Sequence, residues 1–214
     1  FYVGSQPGQQ VAELLRDRLK LTGREAALPP QTGFRQAPGQ EVTEALDVAQ
    51  GKLCMGFVTP ATLRTPEYAA MQLMNTVFGG GMTSKLFQNV REKLSLCYSV
   101  GSSKGIVLVS AGIDFDREPA TRQEILRQLK ACQDGEISGQ ELSSARQALI
   151  SALRAVPDSP GALESYGFSG LLSGNHRSVD AAIADLQAVT REQVIAAAQS
   201  VTLHSTYFLK GDRS

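Results

Sequence analysis

The stretch Phe78-Gly-Gly-Gly-Met-Thr-Ser-Lys-Leu-Phe-Gln-Asn-Val-Arg-Glu-Lys-Leu-Ser-Leu-Cys-Tyr-Ser-Val100 joins three pieces of structure. Gly79, Gly80 and Gly81 make a flexible turn that can take positive φ and let another backbone come close. Thr83 or Ser84 can cap a new helix with an inward stripe of Leu86, Val90 and Leu94 and with Phe87 beside it. After Leu94 the period changes. Leu96, Tyr98 and Val100 alternate with Cys97 and Ser99, which predicts a strand. Arg91 then sits on the helix and Tyr98 at the start of the strand, and both can face the space near the glycine turn.

Upstream, residues 1–4 read as a short strand and residues 7–20 as a helix carrying Val11, Leu14, Leu15 and Leu19 on one face. Gly23, Pro29, Pro30, Gly33, Pro38 and Gly39 mark a linker. Residues 45–58 read as one long strand, apolar enough to be buried on both faces. Thr65 and Pro66 open a helix to Phe78 on Ala69, Leu73 and Val77. Ser103-Lys104-Gly105 predicts a hairpin turn between the Tyr98 strand and a strand over 106–115. Helices follow at Ile125–Leu126–Leu129, after the Ser138/Glu141 capping box, after Ser159-Pro160, and after Thr190 with Gln193. A closing strand covers 206–210. Strands before a helical block predict an α+β fold: two layers, with a mixed or antiparallel sheet covered on one face by helices.

The 214 residues suffice for one sizeable domain, and 42% hydrophobic content is ordinary for a globular chain. Lys+Arg and Asp+Glu both number 21, so no basic stripe argues for nucleic acid and no polybasic cluster for a membrane surface. The apolar runs are strand-sized, too short to span a bilayer. Cys54, Cys97 and Cys132, without a Cys-x-x-Cys, read as reduced thiols and a cytoplasmic location. A chain that opens on Phe1 rather than Met reads as an excised fragment. Its opening Phe-Tyr-Val-Gly echoes the late Tyr207-Phe-Leu-Lys-Gly211, as two like halves would.

The central stretch resembles the signature of the second, non-zinc half of the pitrilysin, insulinase and mitochondrial-processing-peptidase family. The residues that carry the resemblance are Gly79 to Gly81, Ser84-Lys85-Leu86-Phe87, Arg91-Glu92-Lys93-Leu94 and Tyr98, with the family's Arg-to-Tyr spacing of seven. The resemblance implies a metallopeptidase-like two-layer fold, an elaborated ferredoxin-like sheet. It implies a domain map in which residues 1–20 are the tail of a preceding domain, 21–44 the linker and 45–214 the main domain. It also implies a substrate-binding half that gives Arg91 and Tyr98 to peptide hydrolysis at a zinc held by a homologous domain or subunit. The fragment alone would be inactive, its parent a zinc-dependent endopeptidase, and the substrate a peptide or unfolded protein. The alternative is a non-catalytic homologue acting as a structural or interaction protein.

Chemistry supports a division of this kind. A peptide hydrolase must stabilise an oxyanion, and a guanidinium and a phenol hydroxyl are suitable fixed donors. The bland alternative is a surface Arg91 paired with Glu92 and a half-buried Tyr98. The glycine turn divides similarly between a helix terminator and a substrate contact. It is no phosphate loop, because Lys85 follows Ser84 rather than a glycine. The family's zinc motif is His-x-x-Glu-His, and this chain has only His176 and His204, in unrelated contexts. No metal site and no cofactor are expected in the fragment itself. Cys97 reads as a packed thiol, and Asp114 and Asp116 as caps for the next helix.

Overall fold

β2 (Gly51–Val58) runs through the middle of a five-stranded sheet of order β1-β5-β2-β4-β3. The computed structural model describes residues 2–19, 38–97, 99–103 and 107–212. Alternation along β2 puts Leu53, Met55 and Phe57 wholly inside while Lys52 stays in water. β4 (Val107–Ile113) pairs antiparallel to β2 and repeats the pattern: Val107, Val109, Ala111 and Ile113 are buried, Leu108 and Ser110 exposed. β3 (Ser99–Ser103) adds antiparallel to β4. β5 (Thr202–Gly211) lies on the other side of β2, antiparallel to it, and holds β1 (Glu41–Leu46) in parallel.

Helices supply the second layer. α2 (Tyr68–Gly79) buries Leu73, Met74, Val77 and Phe78, and the Phe78 ring meets the Phe57 ring edge-on at 6.4 Å. α3 (Glu118–Gln133) contributes Ile125, Leu129 and Cys132, and α4 (Gly139–Arg154) contributes Leu142, Ala145, Leu149 and Ile150. α6 (Val179–Ala188) adds Leu186, and α7 (Arg191–Gln199) adds Val194, Ala197 and Ala198 to the same core. α5 (Pro160–Ser173) lies outside it, with Phe168, Leu171 and Leu172 exposed. The α+β reading with helices on one face of a mixed sheet is thus borne out.

Several local readings need correction. Residues 2–4 form no strand; the Tyr2 hydroxyl instead accepts from the Gln6 N–H. α1 (Gly8–Leu19) forms as read, but none of its residues is buried. Most of the linker lies outside the described residues, and β1 begins at Glu41 rather than Ala45. The single strand over 45–58 is two strands, because the chain turns at Val48, whose N–H bonds the Leu46 carbonyl. Neither is buried on both faces. Thr65 caps no helix; its hydroxyl bonds back to the Thr62 carbonyl, and α2 starts at Tyr68 without a side-chain cap. Asp114 and Asp116 do not cap α3 either, whose first turn follows Arg117. The Ser138/Glu141 and Thr190/Gln193 capping boxes are both present, as is the Ser159 cap. α6, capped by Ser178, is an additional helix, and β5 starts at Thr202, ahead of the reading. Lys104 and Gly105 of the hairpin turn lie outside the described residues.

Truncating Phe57 removes one ring of the central pair from a site with no solvent access. Phe57→Ala is expected to cost about 3–5 kcal/mol in urea unfolding, whereas Leu46→Ala, on exposed β1, should stay within about 0.5 kcal/mol.

Candidate functional site

α2 ends where the glycines begin. The Gly80 N–H bonds the Thr76 carbonyl, and a Cβ on Gly80 would sit 2.6 Å from the Thr76 Cα, so a side chain there would collide with backbone. Gly81 has φ 117°, a conformation that only glycine takes freely. Two of the three glycines therefore have structural reasons to be there. Ser84 closes the turn, donating to the Gly81 carbonyl at 2.7 Å and accepting the Phe87 N–H at 3.3 Å.

The helix that follows, Leu86–Lys93, is π-helical, a wide winding that is rare and recurs at functional sites. Leu86 and Val90 are fully buried, while Leu94 lies just past the helix end and is 47% exposed. Polar contacts flank these apolar plugs. The Lys85 ammonium is buried and meets the Glu141 carboxylate at 2.8 Å. The other Glu141 oxygen accepts from the Ser138 N–H and hydroxyl, completing the α4 capping box. One turn further on, Asn89 donates to Gln128 at 2.8 Å; Gln128 donates to Glu124, which Arg127 also grips. Burial alone would push the Glu141 carboxyl up, but the bonds from Lys85 and Ser138 outweigh it and hold it below its ordinary value.

Arg91 faces the other way. Its side chain is 42% exposed, with the guanidinium carbon 4.7 Å from the Phe87 ring centroid. Glu92 lies 3.7 Å away, too far for a hydrogen bond. Arg64, Arg146 and Arg191 spend their donors on backbone carbonyls, and Arg122, Arg127 and Arg177 theirs on carboxylates. Arg91 by contrast makes a looser, solvent-exposed ion pair with Glu92, the pairing that the bland alternative expects, and its side chain stays largely open to water. β3 packs against both the π-helix and the end of α2, so the glycine turn, the Arg91 helix and this strand share one corner. Tyr98 lies outside the described residues. Cys97, just before it, is buried, and burial pushes its thiol up to about 11 against the opposing pull of Arg91.

The histidines do not fit a zinc centre. His204 lies within β5 rather than before it, half-buried with Nδ1 2.8 Å from the Ser205 hydroxyl, and His176 sits in the loop after α5. Among the described residues no three His, Cys, Asp or Glu side chains gather as a metal site. A cleft of about 340 Å³ opens at the far end of α2, lined by Thr59, Thr62, Leu63, Tyr68 and Met71 among others; no motif marks it in the sequence. The sequence reading also missed Lys85 and Asn89 as inward-facing groups. Their one signal is a four-residue spacing beside the Leu86/Val90 stripe.

Residues 1–149 match the family model described as the peptidase M16 inactive domain. The chain belongs to this family. Among curated relatives, the M16 domain is 32% identical over 176 residues to the probable inactive metalloprotease YmfF of Bacillus subtilis, covering 80% of the present chain and 41% of that protein. An uncharacterized zinc protease of the same organism, YmxG, is 31% identical over 165 residues, with 72% and 39% covered. The chain thus spans less than half the length of these relatives. In structure, it superposes with TM-score 0.86 and 27% identity on a conserved protein from Enterococcus faecalis V583, covering 98% of this chain and 51% of that one. The resemblance read from residues 78–100 is therefore correct at the level of family and fold.

No described helix of this M16 domain is long and apolar enough to cross a membrane. Its depressed Glu141 carboxyl gives a pH test. A carboxyl held below its unfolded value adds stability above about 4.5, the ordinary glutamate value, and loses that contribution as pH falls through the folded value. Urea stability should decline below that pH, and more shallowly in Glu141→Gln, which starts from a lower plateau because Lys85 is left unpaired.

Proposed function

We propose that this M16 inactive domain is the substrate-binding half of a zinc-dependent endopeptidase, working with a homologous zinc-bearing domain or subunit. Arg91 and Tyr98 would hold the scissile carbonyl of a peptide or unfolded protein and stabilise the oxyanion that develops on it, while the chain alone would not hydrolyse peptide. The observation that carries this reading is the Arg91 guanidinium, solvent-facing and held only by a loose, exposed pair with Glu92, on a rare π-helix anchored through its opposite face. The backbone of Gly79, Gly80 and Gly81, which lacks side chains to bar approach, would line the same substrate path. A zinc protease named among the relatives is consistent with it.

A second reading has its own support. The relative at 32% identity is called a probable inactive metalloprotease, which favours a non-catalytic homologue serving as an interaction protein.

Two substitutions separate them. Tyr98→Phe removes one hydroxyl and should alter stability by at most about 1 kcal/mol. Arg91→Lys keeps charge but loses the planar fork. In the assembly with the zinc-bearing half, each should lower kcat/KM by about 10²-fold or more, as loss of one oxyanion donor typically does. The double variant should lose less than the product of the two. Full activity in both single variants, with assembly intact, would sink the catalytic reading and leave the interaction protein.

A further inference from the structure

The Arg91 helix is a poor candidate for rigidity from local forces alone. It is eight residues long, wound as a π-helix, and preceded by three glycines. Leu86 and Val90 bury it, but apolar plugs are non-directional and leave its roll about its own axis weakly set. The directional contacts come from elsewhere in the chain. Lys85, at the helix entrance, bonds the carboxylate that also caps α4. Asn89, in the middle of the helix, bonds Gln128 in the buried interior of α3, and Glu124 and Arg127 extend that chain of bonds. Lys93 donates to the side-chain oxygen of Asn89 at 2.9 Å, so that amide is held from both ends.

A buried ion pair is weak support for stability, because apolar groups of the same size often serve as well; directional constraint is what it adds. We propose that Lys85, gripped by Glu141, and Asn89, gripped by Gln128, are positioning residues that fix the roll of the π-helix and so the direction in which Arg91 leaves the protein. This inference rests on the reading of Arg91 as a substrate-binding group, and its test separates the two.

The variant Lys85→Met/Glu141→Gln removes the ion pair without stranding a charge, and the amide oxygen of the introduced glutamine retains the acceptor that the capping box needs. By hydrogen exchange on the whole chain, the amides of residues 88–93 should exchange about tenfold faster, while those of Ile125 and Leu149 change less than about twofold. Lys85→Arg, which keeps the pair, should behave as the unsubstituted protein. In the assembly with the zinc-bearing half, an internally quenched peptide should be cleaved with kcat lowered about tenfold and KM nearly unchanged. Asn89→Leu should reproduce both effects through the second tether. Unchanged exchange at 88–93 overturns the positioning role, whatever Arg91 does. Faster exchange with undiminished kcat, where Arg91→Lys itself is crippling, overturns it too. Faster exchange where Arg91→Lys is harmless supports the tethers and overturns the reading of Arg91.

Discussion

The edge-on contact of Phe57 with Phe78 ties the helical layer to the sheet. Both rings are wholly buried, one on the central strand and the other in the last turn of α2. Such a pair adds about 0.5–1.5 kcal/mol beyond its area, but its geometric effect matters more. It holds the last turn of α2 against the central strand, and the next residues are the glycines that end the helix. Every element of the candidate site is strung from that point: turn, π-helix, and the strand that packs beside them.

Around this apolar contact the inner side of the site is unusually polar. Lys85, Glu124 and Gln128 are all buried, the first bonded to the less buried Glu141 and the other two to each other in a separate network. Such groups are tolerated only when each is satisfied, and here bonds within α3, from Gln128 and Arg127 to Glu124, are joined by two that cross between helices, Asn89 to Gln128 and Lys85 to Glu141. The outer side is the opposite, with Arg91 over Phe87 and Met82 73% exposed in the glycine turn. A helix with its inward groups tightly bonded and its outward cation only loosely paired, with Glu92, is what a binding surface requires.

The sequence was most legible where the physics is local. The capping boxes at Ser138/Glu141 and Thr190/Gln193 need only groups three residues apart, and both formed. The α+β class followed from periodicity, and Arg91 from a motif. Long-range order was not legible. Nothing between residues 45 and 58 announces that β1 and β2 are separated in the sheet by a strand from the far end of the sequence. The π winding hid behind a Leu86/Val90 stripe that an α-helix fits equally well. Lys85 entered only as a motif residue, its inward pairing unread because its partner, Glu141, lies on another helix. α6 escaped because its alanine-rich face gives little apolar contrast, with Leu186 alone buried.

The placing of β5 also dictates when this sheet can exist. Its neighbours are β1 and β2, and the bond from Tyr207 to Glu44 joins residues 163 positions apart. As a ribosome delivers the chain, β3 and β4 can pair and β4 can add to β2, while α2 settles on them. Among the described strands β1 pairs with β5 alone, so it waits until β5 arrives to lie between it and β2. Until then the unpaired edge of β2 remains open to any other extended segment, the exposure that makes non-local β pairing slow and prone to association. A nascent chain of this domain is thus a half-sheet with a vacant slot, and synthesis rather than collapse sets the moment at which the slot is filled.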